Sequence, residues 1–196
     1  MKKAEITRST ILNKAFDLIY TNGYRATSID EILATTKVTK GAFYYHFKNK
    51  DEMGIAMVEE ILKPRLSSKF VALLGREDSP QNAIYALMQH LLLKDDTLTV
   101  ACGCPASNLV QEMTPWDTSF SKALNELVNQ WIRSLTDFLE NGQKNGSVHN
   151  TINPASAALF ILSGYWGARN LGKLENSKRP YHAYLDQLTT YLNTLT

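Results

Sequence analysis

Residues 37–50, KVTKGAFYYHFKNK, are the stretch of this 196-residue chain from which its fold can be worked out. Phe43 and Phe47 are four residues apart, so they share one face of a helix and are expected to pack inward. Lys40 and Tyr44 are also four residues apart, on another face, and so short a helix cannot bury them as well. The stretch therefore predicts a helix with an apolar inner side and an exposed basic and aromatic side.

Two further helices are predicted before this stretch. The first has one apolar face and ends at Gly23, and its inward residues are Ile11, Leu12, Ala15, Phe16 and Ile19. Ser28 begins the second, with Glu31 completing a capping box three residues later. A short turn over residues 35–37 leads to the third helix, which starts near Thr39. Two helices joined by a tight turn, the second carrying exposed polar groups, are typical of a helix-turn-helix that enters the major groove of DNA.

Several residue types in this region suit contact with DNA. Lys40 can reach a base edge or a phosphate, tyrosine hydroxyls can bond phosphates, and Gly41 lets the backbone approach the ligand closely. The free amides at the start of the second helix favour a phosphate. The predicted DNA-binding residues are Thr27, Ser28, Thr39, Lys40, Gly41, Tyr44, Tyr45, His46 and Lys50. The alternative is that this is only a solvated basic helix end.

The distribution of charge supports a polyanionic partner for the N-terminal quarter. Residues 1–50 carry nine Lys and Arg against four Asp and Glu, a balance of +5, and the whole chain carries +2, so the remainder carries −3. The first residues, MKKAEITRST, lack the apolar run of an export signal, and no apolar run is long enough for a membrane span. With only two cysteines, we expect a cytoplasmic protein without structural disulfides.

Helical periodicity continues to the end of the chain, which predicts an all-α fold. Asn49 is expected to cap a fourth helix that Pro64 kinks or stops. Further helices are predicted near 80–94, 105–113, 118–143, 154–172 and towards the C-terminus. The predicted organisation is a helix-turn-helix domain at 1–48 followed by a larger helical domain at 49–196, which binds the effector and forms the dimer.

Residues 7–53, TRSTILNKAFDLIYTNGYRATSIDEILATTKVTKGAFYYHFKNKDEM, resemble the DNA-binding head of the TetR family of bacterial transcriptional regulators. The matching positions include Thr27-Ser28, Lys40-Gly41, Tyr44 and His46-Phe47. The resemblance implies a homodimer that binds a palindromic operator and is released when a small molecule occupies the larger domain. One departure is Lys37, where the family usually has glycine. A lysine costs about 1 kcal/mol at this position if the backbone is left-handed there.

The last two predicted helices favour a homodimer. The segment 155–171, ASAALFILSGYWGARNL, is apolar almost all round, so it needs cover on every side, and the final helix carries a stripe of Tyr and Leu. A symmetric partner would cover what one subunit cannot, as the family resemblance also implies. The predicted interface residues are Phe160, Gly164, Tyr184, Leu188 and Tyr191. The alternative is that a larger core within one chain covers both helices.

The larger domain is rich in aromatic and thioether side chains, a few of which could line an effector pocket. Cys104 precedes Pro105 at a predicted helix start, where amides and the helix dipole lower the pKa of a thiol. The domain also resembles the TetR subgroup that responds to electrophiles and oxidants, which assigns a sensing role to Cys104 and Lys173. The predicted effector residues are Cys104, Met113, Trp116, Phe120, Trp131, Tyr165, Trp166 and Lys173. From the residues alone, a buried core residue is the favoured interpretation of Cys104, and the sensor is the alternative.

Other function classes fit the sequence less well. A Cys104-dependent enzyme lacks an identifiable base or oxyanion device, so no catalytic residue is predicted. No metal or other cofactor is predicted, because Cys102 and Cys104 have no companion cluster and the histidines are scattered. A nucleic-acid-binding protein without sequence preference needs basic residues over the whole chain. A ligand-responsive repressor that binds operator DNA and a small-molecule inducer remains the best interpretation.

Overall fold

The computed structural model describes residues 3–74 and 79–196. Every regular element within these ranges is helical, which confirms the all-α prediction. The helices are α1 (Lys3–Asn22), α2 (Ile29–Ala34), α3 (Lys40–His46), α4 (Lys50–Met57), α5 (Lys63–Leu74), α6 (Pro80–Gln89), α7 (Pro105–Met113), α8 (Thr118–Lys144), α9 (Pro154–Glu175) and α10 (Arg179–Asn193). None of the helices in the part of the chain that is described has the length and apolarity needed to span a bilayer.

The helix starts follow the predicted capping residues. Ser28 Oγ accepts a hydrogen bond from the Glu31 amide at 3.1 Å, and the Glu31 carboxylate accepts one from the Ser28 amide at 2.6 Å. Asn49 caps α4 by accepting from the Glu52 amide at 2.8 Å. These bonds satisfy donors that the first turn of a helix leaves free, so the starts of α2 and α4 are fixed by local sequence.

Pro64 does not stop its helix. A π-helical turn at Val58–Leu62 joins α4 to α5, and α5 runs on past Pro64 to Leu74. In this turn the Lys63 amide donates to the Val58 carbonyl, five residues back, so the wider turn lies immediately before the proline. A second π-helical turn, His90–Lys94, ends the helix predicted over 80–94. Neither π-helical turn was predicted from the sequence.

The chain divides into two compact units, and the division does not follow the predicted boundary after residue 48. Unit 1 takes in residues up to 65 together with 105–127, so it contains α1 to α4, α7 and the first part of α8. Unit 2 comprises residues 66–104 and 128–196 as far as they are described. The helix-turn-helix therefore shares its compact unit with segments that are distant in sequence.

The core of unit 1 includes the predicted inner face of α1, together with Ile32, Phe43 and Phe47. Gly23 ends α1 with a φ of +93°, a left-handed conformation that glycine adopts without strain. Lys37 does not adopt it, since Asn176 is the one non-glycine residue with positive φ in the described ranges. The lysine at the usual glycine position therefore carries no left-handed strain.

Unit 2 is built from α6, α9 and α10 with the later part of α8. Trp131 of α8 stacks on Phe70 of α5 with ring centroids 5.3 Å apart. Asn153 caps α9 ahead of Pro154, as predicted, by accepting from the Ser156 amide at 2.9 Å. The core of this unit also buries one cation, Arg169, whose surroundings are described below.

Candidate nucleic-acid interface

The third helix has the two faces that the sequence predicts. Phe43 and Phe47 are buried, with their ring centroids 5.5 Å apart. Thr39 caps the helix by accepting a hydrogen bond from the Ala42 amide at 3.2 Å. Because both phenylalanines face the core, the remaining side chains of this short helix point outward. The outward residues are Thr39, Lys40, Gly41, Tyr44 and Tyr45, all of which are exposed.

The C-terminal end of α3 is anchored to α1 through one arginine. The Arg8 guanidinium lies 4.4 Å from the centroid of the Phe47 ring and donates to the His46 carbonyl at 3.2 Å. It also bonds both carboxylate oxygens of Glu60. A planar guanidinium that engages a ring, a carbonyl and a carboxylate fixes the direction in which α3 leaves the core. The His46 side chain is half-buried at this end.

The lysine on the exposed face of α3 is paired with a carboxylate of α2. Lys40 Nζ donates to Asp30 Oδ1 of α2 at 3.0 Å, and both side chains are exposed. The hydrogen bond to Asp30 and the Asp30 charge raise the pKa of Lys40, so the amine is a cation at neutral pH. The bond to Asp30 uses one of the three donors of the ammonium group, so Lys40 keeps donors for a phosphate or a base edge, although the Asp30 charge reduces its attraction to DNA. This partner was not predicted from the sequence.

Gly41 lies in open space on the exposed side of α3. A Cβ built on Gly41 has no atom within 4 Å, so the glycine is not needed for packing within the protein. Glycine also weakens a helix interior relative to alanine by roughly 0.5–1 kcal/mol. The absence of a side chain there is therefore consistent with close approach of a ligand surface.

Two predicted DNA contacts have other roles in the structure. Thr27 is buried, and its hydroxyl donates to the Gly23 carbonyl at 2.8 Å, so its side chain holds the turn before α2. Lys50 Nζ donates to the Tyr24 carbonyl at 2.5 Å and lies 4.3 Å from the centre of the Tyr24 ring. Burial lowers the pKa of Lys50. Ser28, by contrast, is exposed at the start of α2.

The predicted effector residues are distributed over both compact units. In unit 1, Met113 and Phe120 are buried, whereas Trp116 is 69% exposed with the Arg25 guanidinium 4.2 Å from its ring. Phe120 packs edge-on against Tyr24, with centroids 4.9 Å apart. Trp116 and Phe120 therefore belong to the packing around the α1–α2 turn.

The other predicted effector residues lie in unit 2. Cys104 and Tyr165 are both buried. Burial raises the pKa of the Tyr165 hydroxyl well above its usual range, and interaction with Cys104 raises it further, whereas Arg169 lowers it. Lys173 is exposed on α9. The indole N–H groups of Trp131 and Trp166 are buried, and no acceptor for either is found in the part of the chain that is described.

Arg169 is a buried charged residue that the sequence analysis missed. Its guanidinium donates to the Leu91 carbonyl at 2.6 Å, to the Leu98 carbonyl at 3.2 Å and to the Tyr181 hydroxyl at 3.2 Å. Burial opposes its charge, but interactions with Tyr165 and Tyr181 leave the pKa of Arg169 above its usual range. The sequence around Arg169 in α9 is apolar, and it does not indicate that backbone carbonyls from distant segments would accept hydrogen bonds from this arginine.

The exposed apolar residues of α9 form a surface wider than the sequence predicted. Phe160 is 57% exposed, and its ring lies 4.6 Å from that of Tyr191, another predicted interface residue. Leu159, Leu171 and Leu174 are also exposed on α9, and Leu174 is 82% exposed. None of these three leucines was predicted as an interface residue. The sequence feature that could have indicated them is that α9 is apolar almost all round.

The remaining predicted interface residues contribute to packing within one chain. Leu188 is buried, so it belongs to the core of unit 2. The Tyr184 hydroxyl donates to the Ile161 carbonyl at 2.8 Å. A Cβ on Gly164 would lie 2.5 Å from the Tyr184 ring, so Gly164 lets α10 approach α9 closely.

The structure also bears on metal and disulfide chemistry. Among the residues that the structure describes, no group of three or more His, Cys, Asp or Glu side chains is placed to hold a metal ion. Cys102 is half-buried and Cys104 is buried, and no disulfide joins them. Cys104 interacts with the Tyr165 hydroxyl, and this interaction raises the pKa of Tyr165.

Comparison with known proteins matches both parts of the chain to family profiles. Residues 11–57 match the profile described as "Bacterial regulatory proteins, tetR family", and residues 80–188 match "Tetracyclin repressor-like, C-terminal domain". An uncharacterized HTH-type transcriptional regulator in the lacX 3' region of Lactococcus lactis subsp. lactis is 31% identical over 133 residues, 68% of each chain. The HTH-type transcriptional repressor DhaR of Mycobacterium sp. strain GP1 is 25% identical over 181 residues, 91% of this chain and 88% of DhaR.

Solved structures have the same fold. The reduced form of Escherichia coli NemR superposes with a TM-score of 0.84 over 97% of this chain and 98% of NemR, at 24% sequence identity. At that identity the similarity extends to the fold and no further. The two-profile match and the 31% identical relative carry the assignment of the chain to a family.

Proposed function

The chain belongs to the TetR family of bacterial regulatory proteins, and we propose that it is a repressor that binds a palindromic operator as a homodimer and is released by a small molecule. The observation that carries the proposal is the two-faced α3. Phe43 and Phe47 hold it to the core, and Lys40, Gly41 and Tyr44 are exposed together on its outer side. A DNA-binding protein of this kind acts where the chromosome is, in the cytoplasm.

In the proposed complex α3 enters the major groove. Lys40 and Tyr44 contact base edges, because they lie on the exposed face in the first turns of the helix. Tyr45, 79% exposed, and Ser28 at the start of α2 bind phosphates. His46 assists at the end of α3. Lys50, by contrast, acts indirectly by holding the turn at Tyr24.

The interface is tested by substitutions on the exposed face. Lys40→Ala and Tyr44→Ala should each lower the affinity for the operator by roughly 1–3 kcal/mol and relax discrimination between operator and scrambled duplex. Both side chains are exposed, so the melting temperature should stay close to that of the wild type. Lys122→Ala on α8 is the matched control, because it removes the same charge from an exposed position in the same unit. Unchanged discrimination in both α3 variants would contradict the assignment.

Repression is the mode of action that we propose. DhaR, which is 25% identical over most of its length, is named a transcriptional repressor, and a dimer seated on an operator blocks access of other proteins to the same DNA. Reporter expression from the cognate promoter should rise when the gene for this protein is deleted. A fall in expression on deletion would instead make the protein an activator.

The proposed dimer forms through α9 and α10. A groove of about 410 Å³ lies along these helices, and it is lined by Gly164, Gly167, Ala168, Leu171, Glu175, Arg179, Pro180, Ala183, Tyr184 and Gln187. Phe160 and Leu174 leave large apolar areas exposed on the same helix pair. Apolar patches of this kind on a folded chain are typical of protein interfaces. A second copy of the chain, related by twofold symmetry, would present the same surface.

We propose that the inducer is bound without a covalent bond and that unit 2 provides hydrogen-bond donors for it. Buried donors are normally paired, and the indole N–H groups of Trp131 and Trp166 are not paired within the described residues. An inducer with hydrogen-bond acceptors would satisfy them. Trp131→Phe keeps one aromatic ring to stack on Phe70 but removes the donor together with part of the indole, so it should leave operator binding intact while weakening the response to inducing compounds.

A covalent switch at Cys104 is the alternative mode of induction. The Cys104 side chain is 1% exposed, which places it out of direct reach of a reagent in solution. We therefore expect operator binding to persist after treatment with N-ethylmaleimide. Loss of binding that is absent in Cys104→Ser, but retained in Cys102→Ser, would make Cys104 the switch and the inducer a thiol-reactive compound.

A further inference from the structure

The turn between α1 and α2 is bonded to a side chain that is distant in sequence. The Glu112 carboxylate of α7 accepts from the Tyr24 amide at 2.9 Å through Oε2 and from the Arg25 amide at 2.7 Å through Oε1. A Cβ at Gly23 would lie 3.4 Å from Oε2, an ordinary contact distance, so glycine is favoured there by its φ of +93° and not by the approach of the carboxylate. One carboxylate therefore satisfies two consecutive backbone donors, with charge-assisted bonds. We call this pair of bonds the Glu112 clasp.

The same turn is held from its other side by α4. Lys50 donates to the Tyr24 carbonyl at 2.5 Å, and the Tyr24 hydroxyl donates to Asp51 at 2.7 Å. Both backbone polar groups of Tyr24 are thus bonded to side chains from other helices. The turn has no regular secondary structure, so these bonds determine where the chain leaves α1 and begins α2.

Aromatic contacts reinforce the clasp around the corner from α7 to α8. Trp116 lies under the Arg25 guanidinium at 4.2 Å, and Phe120 packs against the Tyr24 ring at 4.9 Å. The residues that receive the clasp are therefore also the ones that receive these rings. All of these groups lie in unit 1 together with α2 and α3.

We propose that Glu112 is a positioning residue for DNA binding: its clasp sets the orientation of α2 and α3, and opening it lowers specific affinity. The inference rests on the proposed function, because it assigns α3 to DNA. α2 begins a few residues after the clasped amides, and a short turn fixes α3 to α2. A shift of α7 large enough to break both bonds would release the turn.

The proposal predicts an effect opposite in sign to simple electrostatics. Removing a negative charge from a DNA-binding unit should strengthen its attraction to the phosphate backbone. Removing the clasp should weaken specific binding, because α3 is no longer held in the orientation that fits the groove. Glu112→Gln is isosteric and removes the charge, so its effect on operator affinity separates the two explanations by sign.

The experiment compares Glu112→Gln with Glu126→Gln, which removes the same charge from an exposed position on α8. Dissociation constants are measured for a palindromic duplex selected from a random pool by the wild-type protein, and for a scrambled duplex. We expect Glu112→Gln to bind the selected duplex about tenfold more weakly or worse, from the loss of charge-assisted hydrogen bonds. Its affinity for the scrambled duplex should be unchanged or slightly higher. Glu126→Gln should match the wild type for the selected duplex.

Amide hydrogen exchange provides a readout that does not depend on DNA. In Glu112→Gln, exchange should become faster at Tyr24 and Arg25 and through α2 and α3, while the helices of unit 2 keep their protection. If the wild type does not discriminate between the duplexes, the proposed function fails, and the exchange pattern alone decides on the clasp. If amides of α2 and α3 exchange at the same rate in Glu112→Gln as in the wild type, the proposed role of the Glu112 clasp is overturned.

The outcome that overturns the proposal directly is a Glu112→Gln protein with unchanged or higher affinity for the selected duplex. If Glu112→Gln does not fold, Glu112→Asp takes its place, because the shorter carboxylate keeps the charge but cannot hold both amides at their present distances. We expect a smaller loss of specific affinity for Glu112→Asp. Wild-type affinity in this variant would contradict the clasp just as directly.

Discussion

Gly41 and Gly54 lie in the same unit but meet opposite surroundings. A Cβ at Gly54 would lie 2.5 Å from the Phe120 ring and 2.6 Å from the Tyr24 ring, and Gly54 itself is buried. A Cβ at Gly41 meets nothing within 4 Å. Gly54 is therefore required by packing between α4, α8 and the α1–α2 turn. Gly41 leaves room only for something outside the chain.

Alanine substitutions at these two positions should separate folding from DNA binding. Gly54→Ala should lower the free energy of unfolding by about 1–3 kcal/mol, because the added methyl group overpacks two aromatic rings. Gly41→Ala should raise it by up to about 1 kcal/mol, because alanine favours a helix, and yet it should weaken operator binding. Urea unfolding and duplex titration of both variants measure this. A Gly41→Ala protein with undiminished operator affinity would contradict close approach at this point.

Local signals in the sequence predicted the residues of α3 well, and distant partners set the limit of prediction. The capping residues Ser28 and Asn49 act on amides three positions away, so their patterns are visible in the sequence. The burial of Thr27 and the bond from Lys50 to Tyr24 depend on how the helices meet. The Glu112 clasp joins groups 88 and 87 residues apart, and no periodicity records such a pairing.

At the scale of the element, α9 contains a buried cation that holds unit 2 together. Arg169 donates to the Leu91 carbonyl within the second π-helical turn and to the Leu98 carbonyl beyond it. It also bonds the Tyr181 hydroxyl of α10. A single side chain thus joins three segments of the chain, and the carbonyl of the π-helical turn gains a charged donor.

Arg169→Met should destabilise the protein strongly. Methionine fills much of the volume but leaves the Leu91 and Leu98 carbonyls and the Tyr181 hydroxyl without their donor. An unsatisfied buried polar group costs about 1–3 kcal/mol, so the loss should reach about 3 kcal/mol or more. Arg133→Met, which removes an exposed arginine of α8 in the same unit, is the control and should unfold like the wild type. Equal stability of the two variants would contradict a structural role for Arg169.

An ion pair between α5 and the loop after the second π-helical turn should make stability depend on pH. Burial alone raises the pKa of Asp95, but hydrogen bonds from Lys69 and Thr97 outweigh it and leave that pKa below its usual range. A carboxyl with a lowered folded-state pKa contributes stability above its unfolded pKa of about 3.9, and this contribution is lost as pH falls through the folded value.

Asp95→Asn should therefore be less stable than the wild type at neutral pH, and the difference should narrow as the solution is acidified. Thermal unfolding of both proteins between about pH 2 and pH 5 measures the convergence, which belongs below the unfolded pKa. A difference that stays constant down to the lowest pH would show that the Asp95 charge does not contribute to stability.

At the scale of the whole molecule, we expect the exposed apolar face of α9 and α10 to form the proposed dimer interface. Leu174, 82% exposed, should become buried in the dimer. Leu174→Glu should produce monomers, because a buried unpaired carboxylate is costly at an interface. Operator affinity should fall when dimerisation is lost, because a palindrome presents two half-sites that bind the two heads of a dimer. Leu174→Met is the control and should remain dimeric. Analytical sedimentation measures the state of assembly. A Leu174→Glu protein that remains dimeric would contradict the proposed interface.

The helical architecture and family were within reach of the sequence, whereas the assembly of units was not. Apolar periodicity located α7 at 105–113 and α8 at 118–143, close to the observed Pro105–Met113 and Thr118–Lys144. Periodicity also marked α9 as apolar all round. It did not show that α7 and the first part of α8 belong with the helix-turn-helix, because that depends on contacts between segments far apart in the chain.

The most direct test of sequence-specific DNA binding is a salt titration of two duplexes. Affinity of the wild-type protein is measured for the selected palindrome and for a scrambled duplex of the same composition, from about 50 to 200 mM salt. The account predicts that both affinities fall with salt and that the palindrome stays at least about a thousandfold tighter. Affinities that are equal at every salt concentration would contradict it, and would describe a protein that recognises only the phosphate backbone.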